Sequence, residues 1–228
     1  MVNAAPAGRY PALDNALLSF GGRVDEVRQQ LYYCDVDFLR KETRFPRQSI
    51  RASVYVHLAA ALEAYVYATT ESLSAEISAA NVKLAGLRLS LFAISSGPGF
   101  SALGDLRGLK NWERRCEVLE AIDSISRVHL DSTHLPLDGR TIRPEHLQAI
   151  WRVFGLPGLP LPGSIHALAL RDLADSRNDV AHGDEPLAIV AGRKSPADML
   201  RLVGRIEEIG INLFSSATEY LDAAMYRR

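Results

Sequence analysis

Apolar residues recur every three or four positions over most of this chain, the spacing of one face of a helix. From about Asp14 to Glu42 they fall at Leu17, Leu18, Val24, Val27, Leu31, Val36 and Leu39, predicting a first helix whose early turns Gly21 and Gly22 weaken. The stretch RFPRQSIRASVYVHLAAALEAYVYATTESLSAEIS predicts a second, starting just past Pro46 and running to about Ser78, the longest apolar segment in the chain.

Shorter helical patterns are expected at about Lys83 to Ile94 and Asn111 to Arg127, separated by SSGPGFSALGDLRG, whose glycines and proline read as a mobile loop. RPEHLQAIWRVFG predicts a further helix opening at Thr141, with Pro144 near its start. LPGLPLPG (Leu156 to Gly163) reads as a tight loop between packed helices, because its neighbours lack the apolar surface for separate cores. Ser164 to His182 is the next helix, with Ser164 as N-cap and Gly183 as its stop. The last helix is expected from about Ser195 to Met225, opened by Ser195, Pro196 and Asp198.

No period-two stretch is long enough to demand a sheet, and no repeat is present. The expected fold is all-α: a flexible lead over 1–13, then one helical domain over 14–228 built from two long helices and several shorter ones.

Composition narrows the function. The 26 lysines and arginines balance 27 acidic residues, so no overall positive field favours indiscriminate nucleic-acid binding, and any such contact must be local. Cys34 and Cys116 lie far apart without metal-ligand spacing and read as core residues of a reducing compartment. Neither a leader pattern nor a run of roughly 18 apolar residues is seen, so a soluble cytoplasmic protein without membrane contact is expected.

One segment carries candidate chemistry, DSRNDVAHGDEP (Asp175 to Pro186). On a helix advancing about 100° per residue, Asn178 and His182 share a face, and Arg177 beside them is long enough to reach the same cleft. Leu168, Leu173 and Val180 are expected to face inward, with Ala167, Ala174 and Ala181 allowing close approach. The exposed carbonyls of the last turn favour a protonated His182, which suits acid or base work. Arg177 offers a rigid donor fork matched to phosphate oxygens, and Asn178 can hold the histidine's other nitrogen or the phosphate. Those groups are what metal-free cleavage of RNA requires, with the ribose 2′-hydroxyl as nucleophile. The simpler alternative is a helix end that attracts cations; it accounts for the charges but not for the asparagine.

RNDVAHG on the penultimate helix, together with the acid in AALEAYV of the second helix, resembles the HEPN superfamily (higher eukaryotes and prokaryotes nucleotide-binding helical domains) over about residues 14 to 225. Its signature is an arginine, usually a polar residue, and a histidine after four to six intervening residues; Arg177, Asn178 and His182 match it with four intervening. The resemblance implies a metal-independent endoribonuclease leaving a cyclic phosphate, acting in toxin–antitoxin pairs or antiviral defence. It also implies a homodimer whose two motifs face one cleft, with RNA as substrate and a cognate antitoxin or defence protein as partner. Some members carry a modifiable tyrosine two places after the histidine; Asp184 stands there. The alternative is a catalytically inactive helical module binding a nucleotide or a protein, since fold alone does not decide function.

Glu63 either pairs with Arg177, as a buried carboxylate needs a partner, or points to solvent. His57 reads as a packing residue. Arg40, Lys41, Arg44, Arg47 and Arg51, and also Lys110, Arg114 and Arg115, either position RNA or form solvated faces. His129, His134, His146 and His166 lack ligand spacing, so neither metal nor cofactor is expected.

Overall fold

Leu13, Phe20, Val24, Val27 and Leu31 bury one stripe of the first helix, α1 (Pro11–Val36), in the computed structural model, which describes residues 8–36, 44–137, 139 and 141–228. That stripe lies against α2 (Arg44–Ala79). The lead expected over 1–13 falls partly outside the described residues, but Arg9 and Tyr10 are tied to Asp222 at the far end of the chain. Gly21 and Gly22 do not interrupt α1.

Apolar and small residues line more than one face of α2, from Ala52 through Leu58, Leu62 and Val66 to Ile77, and all are buried. A helix apolar on several sides must be surrounded. Accordingly α2 touches α1, α7 (Ser164–His182), α8 (Leu187–Gly192) and α9 (Pro196–Asp222). In α9 the residues Met199, Leu202, Val203, Ile206, Ile209, Leu213, Ala217 and Tyr220 repeat at three- and four-residue steps and are buried. Helices α1, α2, α7 and α9 thus form a bundle. Its apolar side chains join one cluster running from Leu13 to Tyr226. The architecture is all-α, and no strand occurs among the described residues, only the isolated bridges Lys83 to Arg127 and Leu87 to Arg227.

At one point the helices come unusually close. Phe20 of α1 stacks on Tyr65 of α2 with ring centroids 4.7 Å apart, and the Tyr65 hydroxyl donates to the Gly210 carbonyl of α9 at 3.0 Å. A side chain at position 210 would collide with the Phe20 ring, so the crossing requires glycine.

The segment between α2 and α7 departs most from expectation. The helix expected over 83–94 is split into a 3₁₀ turn, Leu84–Gly86, and α3 (Leu89–Ser95). The expected loop contains α4 (Gly97–Asp105), with Pro98 in its first turn. Its glycines serve contact rather than mobility: a Cβ at Gly97 would strike the His134 ring, and one at Gly99 would lie 2.9 Å from Val118. α5 (Gly108–Glu120) ends short of Arg127; residues 121–123 form a 3₁₀ turn and the chain then extends to pair with residues 82–85. α6 (Pro144–Ile150) continues as a π turn, Trp151–Gly155, whose indole donates to the Pro157 carbonyl at 3.1 Å. The proline-rich 156–163 is the expected loop.

α8 was not foreseen, being short and without periodic support. α9 opens as expected, Ser195 accepting from the Asp198 backbone N–H at 3.2 Å, but ends at Asp222. Cys34 is buried, as expected, whereas Cys116, also expected in the core, is exposed. Among the described residues no helix is long and apolar enough to cross a membrane.

Candidate functional site

α7 is held in place by Ala169, Leu170, Leu173, Ala174 and Ser176, which bury one face against the bundle. The cap is Gly163 rather than Ser164, which starts the helix. Leu168, expected to face inward, is exposed, and so is Ala181, expected to allow close approach of a neighbour, because the buried stripe runs through 169, 170, 173 and 174 instead; Val180 is half-buried against the core.

The helix stops where the sequence places the stop. Gly183 adopts φ +71°, a left-handed conformation that glycine enters without steric cost. The Asp184 N–H then donates to the Asp179 carbonyl at 3.1 Å, closing a Schellman-type end. A second clamp comes from Arg193, just past α8. Its guanidinium lies 2.6 Å from Asp179 and 2.7 Å from Glu185, so it grips α7 and the chain that leaves it.

Arg177, Asn178 and His182 do converge. They line one groove of about 510 Å³ together with Gly139, Thr141, Arg143 and His146. Arg177 and Asn178 are half-buried; His182 is exposed at the mouth, with no hydrogen-bond partner among the described residues. Asn178 is oriented differently from expectation. Its carbonyl oxygen accepts from Arg177 Nη1 and from the Thr141 hydroxyl, both at 3.3 Å, and not from His182. With that oxygen occupied, the amide group is left to donate. Asn178 therefore steers the guanidinium and ties α7 to the segment that opens α6.

Glu63 is half-buried and forms no ion pair with Arg177. The residue one turn on, Tyr67, is the one that reaches the groove's rim: its hydroxyl accepts from the Gly139 N–H at 3.2 Å. The expected buttress is thus replaced by Asn178. His57 is exposed, its Nδ1 3.0 Å from Gln30. His166 lies 2.6 Å from Glu208, and no group of three or more His, Cys, Asp or Glu is arranged as a metal site among the described residues.

Of the basic groups, Arg40 and Lys41 and the side chain of Arg44 lie outside the described residues. Arg51 donates to the Lys194 carbonyl at 2.6 Å, a structural role. Arg114 pairs with Glu117 at 2.7 Å, and Arg115 stacks on Trp112 at 4.9 Å. Both belong to solvated surface.

Thr141, Arg143 and His146 were not anticipated. Arg143 pairs with Asp175 at 2.7 Å across the groove wall, and its backbone N–H donates to His146 Nδ1 at 3.0 Å. Only folding brings TIRPEH beside RNDVAH; the available signal was an arginine and a histidine three apart at a helix start. None of the described lining residues is acidic, while two are arginines and two histidines. A concave site of this composition concentrates positive potential in a chain of net charge −1, and favours an anionic ligand. Guanidinium and amide donors bind phosphate oxygens, and an exposed imidazole can exchange a proton with an adjoining hydroxyl.

No protein-family model matches the chain, and no curated protein or solved structure is similar to it.

Proposed function

We propose that this chain is a metal-independent endoribonuclease of the HEPN type, working as a homodimer in growth arrest or defence under the control of a partner protein. The observation that carries the reading is the gathering of Arg177, Asn178 and His182 along one groove that has no acidic residue among its described lining. In this reading Arg177 binds the scissile phosphate and offsets its growing charge, and Asn178 holds the guanidinium. The ribose 2′ oxygen bonds to phosphorus as its proton passes to a His182 imidazole. The P–O5′ bond breaks, and the departing 5′ oxygen takes a proton from the imidazolium of the second copy. The products are a 2′,3′-cyclic phosphate and a 5′-hydroxyl. Two copies meet the need for both an acceptor and a donor of protons, which isologous pairing supplies.

The test is incubation of the purified chain with RNA in excess EDTA. Cutting is expected on RNA and not on DNA of the same sequence, with cyclic phosphate ends, and His182→Ala is expected to abolish it. Absence of cutting on a broad RNA pool overturns the reading and leaves a binding module, and equal cutting by His182→Ala overturns the proposed mechanism.

A further inference from the structure

We propose that the outer face of α5 is a self-association surface, which meets the same helix of a second copy of this chain in parallel and in register. That face adds no residue to the described lining of the RNDVAH groove, and the inference stands apart from the nuclease reading.

α5 (Gly108–Glu120) is amphipathic, but its apolar stripe faces away from the rest of the chain. The side against α4 is sparsely apolar: Val118 is the buried residue, and the Asn111 amide donates to the Leu103 and Leu106 carbonyls at 2.9 and 3.1 Å. The larger apolar side chains point outward. Leu109 is 76% exposed, Trp112 63% and Leu119 64%, and Cys116 among them is exposed as well. These four residues follow one another at steps of three, four and three, so they form one narrow stripe about 15 Å long. Within the chain α5 rests on α4 and on the 3₁₀ turn that follows it, which leaves the stripe facing solvent. A contiguous apolar stripe rimmed by charges marks an interaction surface.

The charges beside the stripe select what covers it. Numbered as a heptad, Leu109 and Cys116 are a positions, and Trp112 and Leu119 are d positions, the seam of a two-helix coil. Arg115 then stands at g and Glu120 at the following e, the two places that face each other across a parallel pair. Two-fold symmetry makes the contact twice, Arg115 of each copy against Glu120 of the other. An antiparallel pair would instead set Glu113 against Glu120 and Arg115 against its own counterpart, so like charges oppose that arrangement.

Both groups are available for the contact. Among the described residues neither Arg115 nor Glu120 has an ion-pair partner, whereas Arg114, on the inward side, is paired with Glu117 at 2.7 Å. The Arg115 guanidinium lies over the Trp112 ring at 4.9 Å, which holds it at the edge of the seam. With only about two heptads, the seam is short for a coil standing alone, so the association is weak and rises with concentration.

Cys116 supplies the probe, because an a residue of a parallel pair sits beside its own counterpart. The full chain is treated with a short bismaleimide over a range of concentrations, alongside sedimentation velocity and thermal melts. Expected is a link between two copies that grows with concentration and disappears in Cys116→Ser; Cys34 is buried and does not compete. Arg115→Glu and Glu120→Arg are each expected to weaken association about tenfold, since two attractions become two repulsions. The double variant, and an equimolar mixture of the two single variants, are expected to restore it. All are expected to match the parent in Tm at low concentration, the altered residues being exposed.

Dimers in sedimentation without the Cys116 link overturn the inference, as does a link that the charge reversals leave unchanged. A chain that stays unlinked at every concentration overturns it too, and leaves the stripe to a different protein.

Discussion

Arg193 reaches Asp179 at 2.6 Å, and Asp179 sits between Asn178 and His182 on the exposed end of α7. The same guanidinium holds Glu185 at 2.7 Å, beyond the helix stop. The last turn of α7 is therefore fastened from outside the groove by a residue that does not line it. Arg193→Ala is expected to lower global stability by only about 1 kcal/mol, since each partner is partly exposed. It is expected to speed hydrogen exchange across 179–185 and, on the nuclease reading, to lower the rate of RNA cleavage. Unchanged exchange in that segment would show that the Schellman end alone holds the turn.

Gly183 separates backbone from side-chain effects. It has φ +71°, yet a Cβ there would meet nothing within 4 Å. Gly183→Ala is expected to cost about 1 kcal/mol through the left-handed conformation alone, and Gly183→Asn less. Denaturant titration of the three proteins checks the order.

Two glycines of α9 are expected to respond in opposite directions. Gly204 faces open space, and Gly204→Ala is expected to add about 0.5–1 kcal/mol from helix propensity. At Gly210 the same change drives a methyl into Phe20 and is expected to cost about 1–3 kcal/mol, because overpacking outweighs propensity. Thermal melts of both variants decide it.

In the groove, Arg177→Lys keeps the charge and loses the fork, and on the nuclease reading lowers cleavage by about a hundredfold. Asn178→Asp places an anion where the amide donates and tightens its hold on Arg177, so RNA affinity is expected to fall while Tm holds or rises. Cleavage kinetics and oligonucleotide binding in EDTA test both. An unaltered rate in either variant would detach these residues from the chemistry.

Alkaline titration probes the core. Burial pushes the Tyr55 phenol up from 10.0 to about 12, with the nearby Asp172 carboxylate adding to the rise. Tyr65 and Tyr220 are raised in the same direction, again by burial. A phenol whose folded pKa lies above its unfolded value stabilises the fold fully below pH 10.0, and that contribution is lost as pH climbs towards about 12. Ultraviolet titration is expected to show Tyr55, Tyr65 and Tyr220 ionising late and together with unfolding. Smooth ionisation of all eight tyrosines near pH 10 would contradict this.

The all-α class, the long helices and the stop at Gly183 were legible in the sequence because each depends on neighbours within a turn or two: apolar spacing, a proline near a helix start, a glycine just past an end. The convergence of Arg177, Asn178 and His182 was legible for the same reason, since one helix carries all three. Local reading misplaced α4, because Gly97 and Gly99 answer to His134 and Val118, far along the chain. It could not pair Asn178 with Thr141 or bring His146 to the groove, nor show that Glu63 stands apart from Arg177 while Tyr67 reaches the rim. Those outcomes depend on how α2, α6 and α7 lie against one another, which the whole buried cluster sets. Helical periodicity says which face of a helix turns inward, but only the packed bundle determines what that face meets.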